Sequence, residues 1–297
     1  MNKLTASRLG SVALCAVLLS GCTTSTPNDS EVTSELVIDG PGRHNATGDV
    51  AAIASIQYDS PPDHILDAQR CSGVVVAPKW VLTAANCLRL GPETPIGEAD
   101  GKAPERCPGP PQDPGSSVSW QFKIRLGATR TGTPIRVTAT VAHPDFDFGA
   151  HAPAKPMSDI ALLKLAEPAN VKPIPIADHD LPPGTPTSQL GWGHQPVCTS
   201  RIPNELQQLD SVALPSSRCG RATQFEFCTA TIRTASGVQG QCVGDSGAPI
   251  LAQSPGGPVV AGVASRGGRH CGDSPGIYTS AAGFRQWINS VINSSGS

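Results

Sequence analysis

The chain has 297 residues, enough for one large domain or two small halves behind a leader, and a formal net charge of −2. That balance argues against a polyanion as partner, so no nucleic acid and no acidic membrane surface is expected. Its 31 glycines and 29 prolines make up roughly a fifth of the residues, against a usual share of about 12%. With aromatic residues at only 4%, many short strands joined by tight loops fit better than a helical bundle.

Residues 1–21 read as an export signal. Lys3 and Arg8 give a basic start, and the apolar run over 11–19 is too short to span a bilayer comfortably. The run ends in Leu19-Ser20-Gly21-Cys22, which resembles a bacterial lipobox. That resemblance implies cleavage before Cys22, acylation of its thiol, and membrane contact through the lipid alone; a plain secretory signal is the alternative. Either way the chain is expected to be exported, as a cell-surface lipoprotein or a secreted protein. Residues 22–36 are polar and rich in Ser and Thr, as suits a flexible tether, and 37–297 form the folded domain. Apart from Cys15 and Cys22, the remaining cysteines are even in number, which in an exported chain points to disulfides whose pairing the spacing alone leaves open. There is no C-x-x-C pair, so no metal site is expected.

Strand-like runs follow at 52–58, 73–76, 122–126, 135–142, 160–165 and 259–264, each bounded by Gly, Pro, Asp or Asn. Between the second and third lies 90–117, which holds seven prolines with scattered Gly, shows no period and reads as a long surface loop containing Cys107. The stretch 206–214 carries Leu206, Leu209, Val212 and Leu214, a pattern that fits neither helix nor strand cleanly. At the end, Phe284, Trp287, Ile288 and Val291 fall at i, i+3, i+4 and i+7, one apolar stripe of a helix packed on the core.

Three stretches carry chemistry. In Gly244-Asp245-Ser246-Gly247, a serine between glycines permits a sharp turn that exposes its hydroxyl. Upstream stands Cys71-Ser72-Gly73, followed by Trp80-Val81-Leu82-Thr83-Ala84-Ala85-Asn86-Cys87. The third is Ser158-Asp159-Ile160-Ala161-Leu162-Leu163-Lys164-Leu165, an aspartate leading into a buried strand. In this order, and with Gly191-Trp192-Gly193, His143-Pro144 and Pro275-Gly276-Ile277-Tyr278-Thr279 in support, the chain resembles the chymotrypsin/trypsin family of serine peptidases.

The resemblance implies an all-β fold of two packed six-stranded antiparallel barrels with a C-terminal α-helix and a cleft between the barrels, and no cofactor. It implies that Ser246 is the nucleophile, that Asp159 orients the general base, and that the N–H groups of Gly244 and Ser246 form the oxyanion hole. It places Gly240 at the base of the specificity pocket, with Ser265, Gly267 and Gly276 along its walls, an open slot suited to a large apolar side chain. It pairs Cys71 with Cys87, Cys219 with Cys228 and Cys242 with Cys271, leaving Cys107 for Cys198.

The family's general base, a histidine, is expected just before Cys87, where the sequence has Asn86. A serine hydroxyl needs a base within hydrogen-bond reach, and a carboxamide does not usefully accept a proton. Removing the histidine of such a triad costs about a millionfold in turnover, roughly 8 kcal/mol. The family also matures by a cut that frees an amine to pair with the aspartate before the nucleophile, here Asp245. The matching start is Val37-Ile38-Asp39-Gly40, but no Lys or Arg lies between Cys22 and Leu36, so a trypsin-type cut is not encoded. Three readings follow. The first is a pseudo-peptidase that binds a peptide or protein. The others are a serine endopeptidase with an unusual or substrate-supplied base, and a structural surface scaffold. Oligomeric state is not legible.

Overall fold

The computed structural model describes residues 37–48, 50–58, 69–88, 122–146, 158–193, 202–220, 222–268 and 271–294. The leader, the tether, Cys22, the 90–117 loop and the proposed Cys107–Cys198 pair lie outside the described residues.

Two short strands come first, β1 (Val37–Asp39) and β2 (His44–Asn45). They are followed by β3 (Ile53–Tyr58), β4 (Gln69–Ala77), β5 (Trp80–Thr83), β6 (Phe122–Leu126), β7 (Ile135–Ala142) and β8 (Ala161–Leu165). These last six close into a barrel in the order β3-β4-β5-β8-β7-β6, every neighbouring pair antiparallel. About half of their side chains are β-branched or leucine, which suits a pleated surface buried inside a barrel; Ile53, Ile56, Val74, Leu82, Ile124, Leu162 and Leu163 have essentially no exposed surface.

The second half comprises β9 (Pro186–Gly191), β10 (Gln207–Val212), β11 (Glu226–Thr229), β12 (Thr231–Thr234), β13 (Gly237–Gln239), β14 (Pro249–Ser254), β15 (Gly257–Arg266) and β16 (Gly276–Ser280). Six of them form a curved sheet in the order β11-β16-β15-β14-β9-β10, with β2 added on the outer edge of β10. A bridge between Ala213 and Thr229, with Leu214 N–H on Cys228 O at 2.9 Å and Ala230 N–H on Val212 O at 3.1 Å, joins the two ends into the second barrel. The ambiguous 206–214 stretch is therefore strand β10. Its inward face is Gln207, Leu209 and Ser211, polar at two of three positions, and so escapes a hydropathy pattern. Strands β1, β12 and β13 form a separate small sheet in which β1 runs parallel to β12.

Helix α1 (Arg285–Ser294) ends the fold. It buries Ile288, with Phe284 just before it, and lays Trp287, Val291 and Ile292 on the same core as the first barrel. His143, at the end of β7, packs between Phe284 and Trp287 with ring centroids 4.9 and 5.1 Å away. The C-terminal helix is thus strapped to the first barrel while its chain leaves the second. Fully buried Trp192 belongs to the same core, its indole N–H donating to Asn204 O at 3.3 Å. Among the described residues three disulfides are present, Cys71–Cys87, Cys219–Cys228 and Cys242–Cys271.

Candidate active site

Three segments meet where the barrels face each other. A short 3-10 turn (Ala85–Leu88) follows β5 and carries Asn86; Cys87 on that turn is tied to Cys71 of β4, which fixes it against the first barrel. Asp159 stands just ahead of β8. The residue before it, Ser158, is buried with φ of 43°, in the left-handed region that a non-glycine residue enters only at a cost. The third segment is the turn between β13 and β14 that holds Ser246.

Asp159 is buried and anchors a closed set of hydrogen bonds. Its Oδ1 accepts the Asn86 backbone N–H at 2.8 Å, and its Oδ2 accepts the Asn86 side-chain amide at 2.7 Å and the Ser265 hydroxyl at 2.6 Å. The second amide hydrogen of Asn86 reaches Ser265 O at 3.2 Å. Both Asn86 hydrogens are thereby committed, and only its carbonyl oxygen is left for any other partner. Burial pushes the Asp159 carboxyl up; the Ser265 and Asn86 bonds and the charge of Arg266 pull the other way without cancelling it.

Ser246 is half-buried, and its carbonyl accepts Ser72 N–H of the first barrel at 2.9 Å. Next to it, Gly247 has φ of +75° and no space for a side chain. A Cβ there would overlap Thr83 Oγ1 and Ser72 O and stand 3.0 Å from Ala84 N. This is why the turn after the serine must be glycine: the two barrels touch backbone to backbone. Among the described residues, the Ser246 hydroxyl and the N–H groups of Gly244 and Ser246 have no hydrogen-bond partner.

Around the residues expected to wall the pocket, glycines and one buried amide crowd together. Gly240 and Gly272 press together, a Cβ on Gly240 falling 2.9 Å from Gly272 Cα. Gln241, 7% exposed, runs past the other glycines; a Cβ on Gly276 would lie 3.0 Å from its Oε1, and one on Gly267 3.8 Å from its Cβ. That Oε1 is buried without a hydrogen-bond partner among the described residues. The long amide that follows Gly240 in the chain thus lies against the residues expected to wall the pocket. Ser265 contributes through its hydroxyl to Asp159, a role its sequence position did not suggest. Beside it, Arg266 forms a double ion pair with buried Glu226, at 2.5 and 2.9 Å. Burial alone would raise the Glu226 carboxyl, but the Arg266 guanidinium and the Thr223 donors outweigh it and hold the carboxyl below its ordinary value.

No described histidine joins this site. His44 contacts Gly42 O, His179 is exposed, and His143 lies against α1, its pKa lowered by burial although Asp145 opposes the shift. His64, His151, His194 and His270 lie outside the described residues. The residue sequence reasoning missed altogether is Arg43. Its guanidinium is paired with Asp245 beside the serine, the two side chains 1% and 0% exposed.

Comparison with known proteins follows the same outline. The Trypsin family model matches residues 40–103 and 116–288. The chain is 28% identical over 239 residues to Kallikrein 1-related peptidase b27 of Mus musculus, covering 75% of this chain and 80% of that one. It is 28% identical over 240 residues to Kallikrein-8 of Homo sapiens, covering 76% and 78%. Among solved structures, neuropsin, a serine protease expressed in the limbic system of mouse brain, superposes with a TM-score of 0.62 at 22% identity. That match covers 85% of this chain and 99% of that one, and is a likeness of fold.

Proposed function

The chain belongs to the trypsin family, and from that premise we propose that it is an exported peptide- or protein-binding member that does not turn substrate over. The observation that carries this reading is the Asn86 amide donating to Asp159 at 2.7 Å. In an active triad an imidazole N–H makes that bond, and the other ring nitrogen takes the proton of the serine. Asn86 supplies the donor half of the role and lacks the basic half. Its amide satisfies the buried carboxylate, keeping the fold intact, while Ser246 has no base to which its proton can pass.

The rest of the machinery supports binding. Gly244 and Ser246 present N–H groups suited to a carbonyl oxygen of a bound peptide. Gln241 Oε1 favours an anchoring side chain that donates a hydrogen bond over a purely apolar one. Three disulfides suit an exported chain, and Cys22 would supply its lipid anchor.

The test compares the natural protein with Asn86→His and Ser246→Ala, using a fluorophosphonate probe and an unstructured protein substrate. The natural protein should neither label nor cleave, and Asn86→His should gain labelling that Ser246→Ala abolishes. Cleavage by the natural protein that disappears in Ser246→Ala would refute the inactive reading. Probing a peptide library with the natural protein tests the binding half, and retention of no peptide would sink it.

A further inference from the structure

We propose that Arg43 is a built-in cationic lock for Asp245, setting the turn that carries Ser246 in the uncut chain and making a liberated N-terminal amine unnecessary. Asp245 is enclosed on all sides. Its Oδ1 accepts Gly193 N–H at 2.9 Å and Arg43 Nη1 at 3.4 Å, and its Oδ2 accepts Cys242 N–H at 3.0 Å and Arg43 Nη2. A carboxylate offers about four acceptor positions, and all four are taken. Gly191 and Gly193 leave no gap either: a Cβ on the first would lie 2.6 Å from Asp245 Oδ1, and one on the second would overlap the carboxylate. An ammonium group would have to evict Arg43 to reach Asp245.

The chain ahead of Arg43 is placed accordingly. Residues Val37, Ile38 and Asp39 pair in parallel with Thr231, Ile232 and Arg233, and Gly40 N–H continues the ladder to Arg233 O at 3.2 Å. Gly42, with φ of +73°, turns the chain past Gln239 and Thr234 with no room for a side chain. Arg43 then bonds both ends of the serine turn. Its backbone N–H donates to Gln239 Oε1 at 2.6 Å, and its Nη2 bridges Gly240 O at 3.1 Å and Asp245. Val37 thus occupies a strand position opposite Thr231, compatible with a continuous tether, and the missing basic cut site upstream ceases to be a defect.

Arg43 acts through Asp245 and is a positioning residue, and the inference holds whatever the catalytic outcome at Asn86. Hydrogen exchange on the purified full chain tests it, with intact mass establishing that residues upstream of Val37 are present. Peptides covering 240–248 should be protected in the natural protein, and Arg43→Met should speed their exchange by about tenfold or more while those of β3 and β8 stay unchanged. Arg43→Ala should regain protection in millimolar ethylguanidinium. The neutral pair Arg43→Met with Asp245→Asn should fold and protect the turn better than Arg43→Met alone, since the damage in the single variant comes from an orphaned buried charge. That comparison decides the matter even if Arg43→Met unfolds. A cut engineered to free Val37 should leave exchange of 240–248 as it was. Exchange in Arg43→Met within about twofold of the natural protein, a double variant as damaged as the single one, or new protection after the cut would each overturn the lock.

Discussion

Replacing Asn86 by alanine tests whether the residue at the base position serves as a clamp on Asp159. The substitution removes the Nδ2 donor to Asp159 Oδ2 at 2.7 Å and to Ser265 O at 3.2 Å, while the backbone N–H bond to Oδ1 remains. A hydrogen bond to a charged acceptor contributes about 1.5–3 kcal/mol and a neutral one about 0.5–1.5 kcal/mol. Asn86 is only half-buried, so water recovers part of the loss, and about 2–3 kcal/mol is expected at pH 8. For a domain of this size that lowers Tm by roughly 4–12 °C. The pH dependence is the sharper signature. Burial holds the Asp159 carboxyl above its ordinary value, so the folded state binds its proton more tightly than the unfolded state. The fold then loses stability as pH rises past the unfolded value near 3.9, and the loss levels off above the folded value. Without the Asn86 donor the folded value climbs further, enlarging the loss at high pH and leaving it nearly unchanged below about pH 4, where the acid is neutral in both states. Thermal or urea denaturation between pH 4 and 8 measures this directly. A loss below about 0.5 kcal/mol at pH 8, or one that is the same at pH 4 and pH 8, would refute the clamp.

Two further outcomes follow from the same geometry. Gly247→Ala should cost about 4 kcal/mol or more, because it combines a left-handed backbone with overlap against Thr83 and Ser72; a folded variant with natural Tm would contradict the backbone contact between the barrels. Glu226→Gln should destabilise at neutral pH, since the Glu226 carboxyl is held below its ordinary value in the fold. That contribution is present above the unfolded value near 4.3 and lost as pH falls through the lower folded value, so the two proteins should converge in acid, and melting curves from pH 3 to 7 that run parallel would exclude it.

Much of this was readable along the chain. The first half of the fold announces itself in short apolar runs between turn residues, whereas in the second half only the run at 259–264, within β15, does so; Ser246, Asp159 and Asn86 stand out because each sits inside a motif whose neighbours are also constrained. The three described disulfides agree with the pairing that the resemblance implies. Strand β10 did not stand out, since Gln207 and Ser211 face inward beside Leu209 and alternation in hydropathy is lost where buried polar groups find partners.

The sequence by itself determined that an asparagine, Asn86, stands where the family resemblance implies a base, and that no Lys or Arg lies between Cys22 and Leu36. Only the tertiary structure decided what those two facts mean. Asn86 is a satisfied donor on a buried carboxylate, and Asp245 already holds Arg43, 202 positions away in the chain. Gln241 lies against the glycines that had suggested an open slot. Each of these depends on which groups burial brings together and on the need of every buried charge or amide for a partner, a condition set by distance in space that spacing along the chain does not encode.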